Sequence, residues 1–166
     1  MHLLKYFTRH SDIPAAELKK GILLMGRYGS GKSLLFRALN KLLYKTQLFH
    51  STFYMFNSSE LIDEYSLHGR PGLFKFDPIR SDICIDDFGT DYPGKHSFYA
   101  EIDDPTEILL QKRYEKFVRE GFRTHATTNL DADTLKVRFS PRIYDRFFEM
   151  FNLVVLDCES WRRKEK

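Results

Sequence analysis

Five short apolar and β-branched runs punctuate the chain: Ile22–Met25, Thr52–Phe56, Asp82–Ile85, Thr124–Thr127 and Leu153–Leu156. Several are continuous rather than alternating, the pattern of strands buried on both faces. Helical periodicity lies between them. Lys32–Tyr44 sets Leu35, Leu39, Leu42 and Leu43 along one stripe, and Thr106–Arg119 carries Leu110, Tyr114, Phe117 and Val118 before stopping at Gly121. A later helix begins with Ser140 as N-cap and Pro141 as its first residue. Strands alternating with helices predict a mostly parallel α/β sheet covered on both sides. The polar stretch Gly89–Asp104, broken by proline and glycine, reads as a loop, and residues 161–166 read as a charged tail.

Composition changes this picture little. A chain of 166 residues fits one domain with a full core, with 42% apolar and 30% charged positions. The net charge of +3 permits contact with nucleic acid without demanding it. Two distant cysteines, in DICIDD and LDCES, read as reduced, partly buried thiols. The charged N-terminus has no signal-peptide core, and no apolar run approaches about 18 residues, which predicts a cytoplasmic protein without a membrane span.

Chemistry enters at GRYGSGKS. Gly26, Gly31, Lys32 and Ser33 complete G-x-x-x-x-G-K-[ST], after a strand and before a helix. Glycines let backbone N–H groups approach an anion, and the helix adds its positive end. Lys32 would reach the β- and γ-phosphates and the Ser33 hydroxyl would bind Mg²⁺. Gly26, Arg27, Tyr28, Gly29, Ser30, Gly31, Lys32, Ser33 and Leu34 form the expected ATP-binding stretch, with Tyr28 at its crest.

DICIDDFG places Asp86 and Asp87 at the C-terminal end of a strand, where ligands of a parallel sheet sit. Asp86 would hold the Mg²⁺ shell, and Asp87 would orient or deprotonate an attacking water. THATTN ends the next strand with Thr127, Thr128 and Asn129, whose amide can bond a γ-phosphate oxygen or that water. Arg142 and Arg146, four apart, share a helix face. They read either as a phosphate clamp supplied across a subunit boundary or as ion-pair partners of Asp145 or Glu149 on a solvated face.

The order GRYGSGKS, DICIDDFG, ATTN, RIYDRF and a final SWR resembles the AAA+ ATPases of the DnaC/IstB group, with SSELIDEY and KRYE as lesser matches. The resemblance runs from about Gly21 to Arg163. It implies a P-loop NTPase core with a five-stranded parallel sheet of order 5-1-4-3-2, from which this sequence departs in carrying no C-terminal lid. Lys32, Ser33, Asp86 and Asp87 would be the Walker A and B residues, and Asn129 would be sensor 1. Arg146 would be the arginine finger, with Arg142 the second candidate.

By the same resemblance the chain would hydrolyse ATP with Mg²⁺ as a homo-oligomer. It would act on a replicative helicase or a transposase, and on single-stranded DNA. Residues 1–20 would form an N-terminal extension to a single domain spanning 1–166. Lys45, Arg70, Lys75, Lys95 and Lys112 are candidates for a single-strand path, against an ordinary solvated surface. Two other classes remain open: a small-molecule kinase using HGRPG (residues 68–72) and the Gly89–Asp104 loop, and a non-catalytic adaptor gated by nucleotide.

Overall fold

A computed structural model describes residues 3–90, 104–158 and 160. Its centre is a sheet of β1 (Gly21–Gly26), β2 (Phe53–Asn57), β3 (Asp82–Asp86), β4 (Thr124–Thr128) and β5 (Phe151–Leu156). The spatial order is β2-β3-β4-β1-β5 and every pairing is parallel, as expected. The helices are α1 (Leu3–Phe7), α2 (Ala15–Lys19), α3 (Lys32–Lys45), α4 (Ser58–His68), α5 (Pro105–Glu120), α6 (Ala132–Arg138) and α7 (Pro141–Met150). Two 3₁₀ segments, Phe49–Ser51 and Arg70–Phe76, complete the described residues.

Alternate strand residues point to opposite faces and build two apolar layers. Leu23, Ile83, Ile85 and Ala126 face Leu61 of α4, Leu109 and Leu110 of α5, and Ile143 and Phe147 of α7. Ile22, Leu24, Phe53 and Cys84 face Phe36, Leu39 and Leu43 of α3, together with Tyr6 and Phe7 of α1. Tyr6 and Phe7, ahead of the first strand, thus supply part of a core layer, and the Tyr6 hydroxyl donates to the Lys20 carbonyl just before β1. Both cysteines are free thiols, Cys84 buried and Cys158 half-buried.

The expected helices form, but their buried stripes differ. On α3 Phe36, Leu39 and Leu43 are buried while Leu42 is exposed, because the face toward the sheet is set by Phe36 packing on Phe7 and Phe53. On α5 Leu109, Leu110 and Arg113 are buried and Val118 is exposed. Arg113 survives burial because Asp77 accepts from it at 3.1 Å, Thr124 at 3.2 Å and the Arg123 carbonyl at 2.8 Å. Ser140 precedes α7 as expected, but its hydroxyl does not cap that helix. It donates to Glu107 of α5 at 3.0 Å. The expected Gly89–Asp104 loop and the 161–166 tail lie largely outside the described residues; of the loop, Asp104 caps α5 by accepting from the Thr106 N–H at 2.9 Å.

Candidate nucleotide site

The turn between β1 and α3 is the GRYGSGKS stretch. Gly29 and Gly31 have φ of 76° and 89°, the left-handed region that only glycine enters without strain. A Cβ on Gly29 would also lie 2.2 Å from the Ser160 hydroxyl, so the segment after β5 packs directly on the loop. Cys158 of that segment donates to the Ser30 carbonyl at 3.4 Å. Lys32 is buried, and its ammonium donates to the carbonyls of Gly26 and Arg27 at 2.8 and 2.9 Å. Ser33 is half-buried one residue further along the helix, whereas Arg27, Tyr28 and Leu34 are exposed.

Burial pushes the Lys32 ammonium below the usual lysine range, and the nearby charges of Asp87, Asp86 and Cys158 pull it partly back. The loop and the acidic pair, separated by more than fifty positions in the chain, therefore meet in one electrostatic site. The sheet explains the meeting. β4 lies between β1 and β3, and all three strands end on the same edge.

Asp86, the last residue of β3, is buried. Its Oδ1 accepts from the Thr127 hydroxyl at 2.6 Å, and its Oδ2 faces the Arg37 guanidinium at 3.3 Å. Asp87 leaves the strand with φ of 55°, and its N–H donates to the same Thr127 hydroxyl at 3.1 Å. Thr127 thus clamps both acidic residues. The Asp87 carboxylate accepts from the Asn57 amide at 3.3 Å, across the β2–β3 pairing. Thr128 donates to the Phe88 carbonyl at 2.8 Å, which ties the end of β4 to the chain leaving β3. Asn129 follows, and its buried Oδ1 has no hydrogen-bond donor.

Arg142 and Arg146 are not brought to this loop. β5 is parallel to β1 and α7 leads straight into it, so α7 starts on the C-terminal side of the sheet and runs back. Arg142 is exposed on its first turn. Arg146 lies 4.2 Å over the Tyr114 ring of α5, and the Tyr114 hydroxyl donates to Glu149 at 3.0 Å. Sequence reasoning missed Arg37, Asn57 and Cys158. Arg37 carries one usable signal, since it stands four residues after Ser33 on the same helix face.

The arrangement suits a triphosphate with a divalent cation. The left-handed glycines and the helix start form an anion cradle, Lys32 supplies fixed positive charge, and Asn129 holds an unused acceptor. Among the described residues no group of three His, Cys, Asp or Glu side chains converges on a metal position. One carboxylate and one hydroxyl, with phosphate oxygens completing the shell, is the donor set Mg²⁺ accepts.

No family model matches the sequence, and no curated protein matches it. Solved structures do. The DnaC helicase loader is 21% identical with a TM-score of 0.63, over 92% of this chain and 85% of that one. DnaI is 20% identical with a TM-score of 0.67, over 95% of this chain and 81% of that one. The chain shares its fold with both. The replication initiator DnaA, solved with AMPPCP and single-stranded DNA, is 15% identical with a TM-score of 0.64. The match covers 95% of this chain and 46% of DnaA, so the shared core is just under half of the initiator. Among the described residues no helix is long and apolar enough to cross a membrane.

Proposed function

We propose that the chain is a Mg²⁺-dependent ATPase of the DnaC/IstB type. It acts in the cytoplasm, in helicase loading during DNA replication or in transposition, as an ATP-dependent homo-oligomer. Its partners are a replicative helicase or a transposase, and single-stranded DNA. The observation that carries this reading is the meeting of Lys32 with Asp86 and Asp87 beneath a left-handed glycine loop. Kinship of fold with the DnaC and DnaI loaders supports the replication role, and the DnaA structure with AMPPCP and single-stranded DNA supports the ligands.

In this reading the loop N–H groups and Lys32 bind the β- and γ-phosphates; Ser33 and Asp86 would hold Mg²⁺, which would supply positive charge against the phosphates. Thr127 fixes the Asp86 carboxylate for that task. Asp87 orients the attacking water, and the free Asn129 Oδ1 accepts one of its protons in a hydrogen bond. Arg146 or Arg142 completes the site of a neighbouring subunit.

One observation favours the adaptor reading instead. The Asp87 carboxylate is already engaged by Asn57 at 3.3 Å, which competes with a water. The deciding experiment sizes the protein with and without ATP and single-stranded DNA while phosphate release is followed. Growth in mass with ATP together with phosphate release supports the ATPase. Growth without release supports the adaptor, and transfer of phosphate to a metabolite with no change in mass supports a kinase.

A further inference from the structure

The outer edge of the sheet carries a groove between α3 and β2. It encloses about 700 Å³ and is lined by Arg37, Lys41, Lys45, Tyr44, Phe53 and Met55. None of its lining residues is acidic. Arg37, Lys41 and Lys45 recur every four residues of α3, so they form a stripe along one helix face with about 6 Å of rise between successive cations. Lys41 and Lys45 are exposed and make no ion pair among the described residues. Arg37 is shared with the nucleotide site through Asp86. Beside the stripe, Tyr44 is 69% exposed and held edge-on against Phe49 with 5.5 Å between ring centroids, which presents a fixed aromatic surface.

The groove resists the commonest protein guest of a sheet edge. β2 is an edge strand, and an unpaired edge ordinarily invites another strand. Here the Asn40 side chain donates to the Phe53 carbonyl at 2.8 Å and accepts from the Phe53 N–H at 3.1 Å. At Phe53 the backbone groups that an incoming strand would pair with are already used, and at the far end of β2 the Asn57 N–H donates to Glu60 at 3.2 Å. What remains is a row of cations beside aromatic and thioether surface, the chemistry that holds a phosphodiester backbone and stacks its bases.

We propose that the α3–β2 groove is a binding surface for single-stranded nucleic acid, whose phosphates lie along Arg37, Lys41 and Lys45 and whose bases stack on Tyr44. This rests on the nucleic-acid part of the proposed function and assigns it a place. The test is fluorescence anisotropy of a labelled oligothymidylate with the full chain across a salt series. Lys41→Ala/Lys45→Ala should lose about tenfold or more in affinity, and the slope of log affinity against log salt should become shallower by about 1.4, at roughly 0.7 per phosphate contact. Tyr44→Ala should lose about fivefold with an unchanged salt slope, as stacking requires. Lys19→Ala/Lys136→Ala removes the same charge from α2 and α6 and should stay within about twofold of the parent.

Equal losses in the two lysine pairs would overturn the groove, because general charge would then explain binding. So would groove variants that bind the oligonucleotide normally but lose ATP-dependent assembly, since the surface would then meet protein. A parent chain that binds ATP but no oligonucleotide at low salt also overturns it, while leaving the nucleotide reading intact. If the chain binds no ATP, the functional reading falls and the anisotropy still judges the groove by itself.

Discussion

The Arg37 guanidinium of α3 stands 3.3 Å from Oδ2 of Asp86, on the carboxylate that Mg²⁺ would use. The partners are unequal. The Asp86 side chain is 3% exposed and that of Arg37 is 66% exposed, so water screens the pair from one side. Such a contact contributes roughly 0–1 kcal/mol to stability. It matters more as a competitor, because a cation must leave Asp86 before a metal can use it freely. Arg37→Ala should leave the denaturation midpoint almost unchanged and tighten Mg²⁺ in the ATP complex by up to about fivefold. Titration of Mg²⁺ against a fluorescent ATP analogue measures this, and weaker Mg²⁺ binding in the variant would refute the competition.

Lys32 carries the phosphate charge, and its loss should be severe. Hydrogen bonds to charged groups are worth about 1.5–3 kcal/mol each, so Lys32→Ala should weaken ATP by about 10² to 10⁴-fold. The fold should persist, since the ammonium's hydrogen bonds go to the carbonyls of Gly26 and Arg27 and the Ser30 hydroxyl, all within the loop itself. Burial lowers the pKa of Lys32 in the free protein, and bound phosphate favours its charged form. The pKa is therefore higher in the complex than in the free protein. The Lys32 contribution to ATP affinity should be complete at neutral pH, then fall as pH rises through the depressed free value, before reaching the ordinary 10.5. Calorimetry in buffers of different ionisation enthalpy would show proton uptake on binding in that window.

The phosphate loop was legible because its chemistry is local: each residue type is needed at its own place, and the flanking strand and helix are visible beside it. The two acidic residues were legible for a related reason, since a continuous apolar run ending in DD marks the ligand edge of a buried strand. Long-range partners were not. Nothing around Arg37 announces Asp86, nor does Asn57 announce Asp87, until β2, β3 and β4 lie side by side. Arg113 was silent in the same way, because its burial depends on Asp77 and Thr124, far away in the chain. Tyr6 and Phe7 looked peripheral for want of any view of the layer formed by Phe36, Phe53 and His125.

His125 should make the protein sensitive to acid. It is fully buried, its Nδ1 accepts from the Ile22 N–H at 3.1 Å, and its Nε2 has no hydrogen-bond partner. The rings of Phe7 and Phe53 lie 5.2 Å from its own. Burial first, then the positive charges of Arg123 and Arg113, hold its pKa well below 6.5. The folded value is thus below the unfolded one, so protons bind the unfolded chain preferentially. Stability should be fully present above pH 6.5 and fall below it, by at most about 1.4 kcal/mol per pH unit. In His125→Asn the side-chain oxygen replaces Nδ1 as acceptor for Ile22. That variant should be less stable by about 2 kcal/mol near neutrality, from lost ring packing, but should lack this part of the acid slope. Urea denaturation of both proteins between about pH 7.5 and 5.5 tests it, and parallel slopes would exonerate His125.

Arg146 separates structural from catalytic duty on α7. Its guanidinium lies 4.2 Å over Tyr114, the reach of a cation–π contact worth about 0.5–1 kcal/mol at an exposed site. If that contact were its whole role, Arg146→Ala and Tyr114→Ala would each cost a little stability and nothing else. The finger reading expects more. Arg146→Ala should bind ATP normally and assemble, yet hydrolyse about 10³-fold more slowly at concentrations where the oligomer forms. Mixing it with Lys32→Ala subunits should restore partial turnover, because each variant then supplies the half of the shared site that the other lacks. Arg142→Ala, run beside it, identifies which of the two arginines crosses the boundary. Normal hydrolysis by an assembled Arg146→Ala protein would remove Arg146 from the site and leave it as a stacking partner of α5.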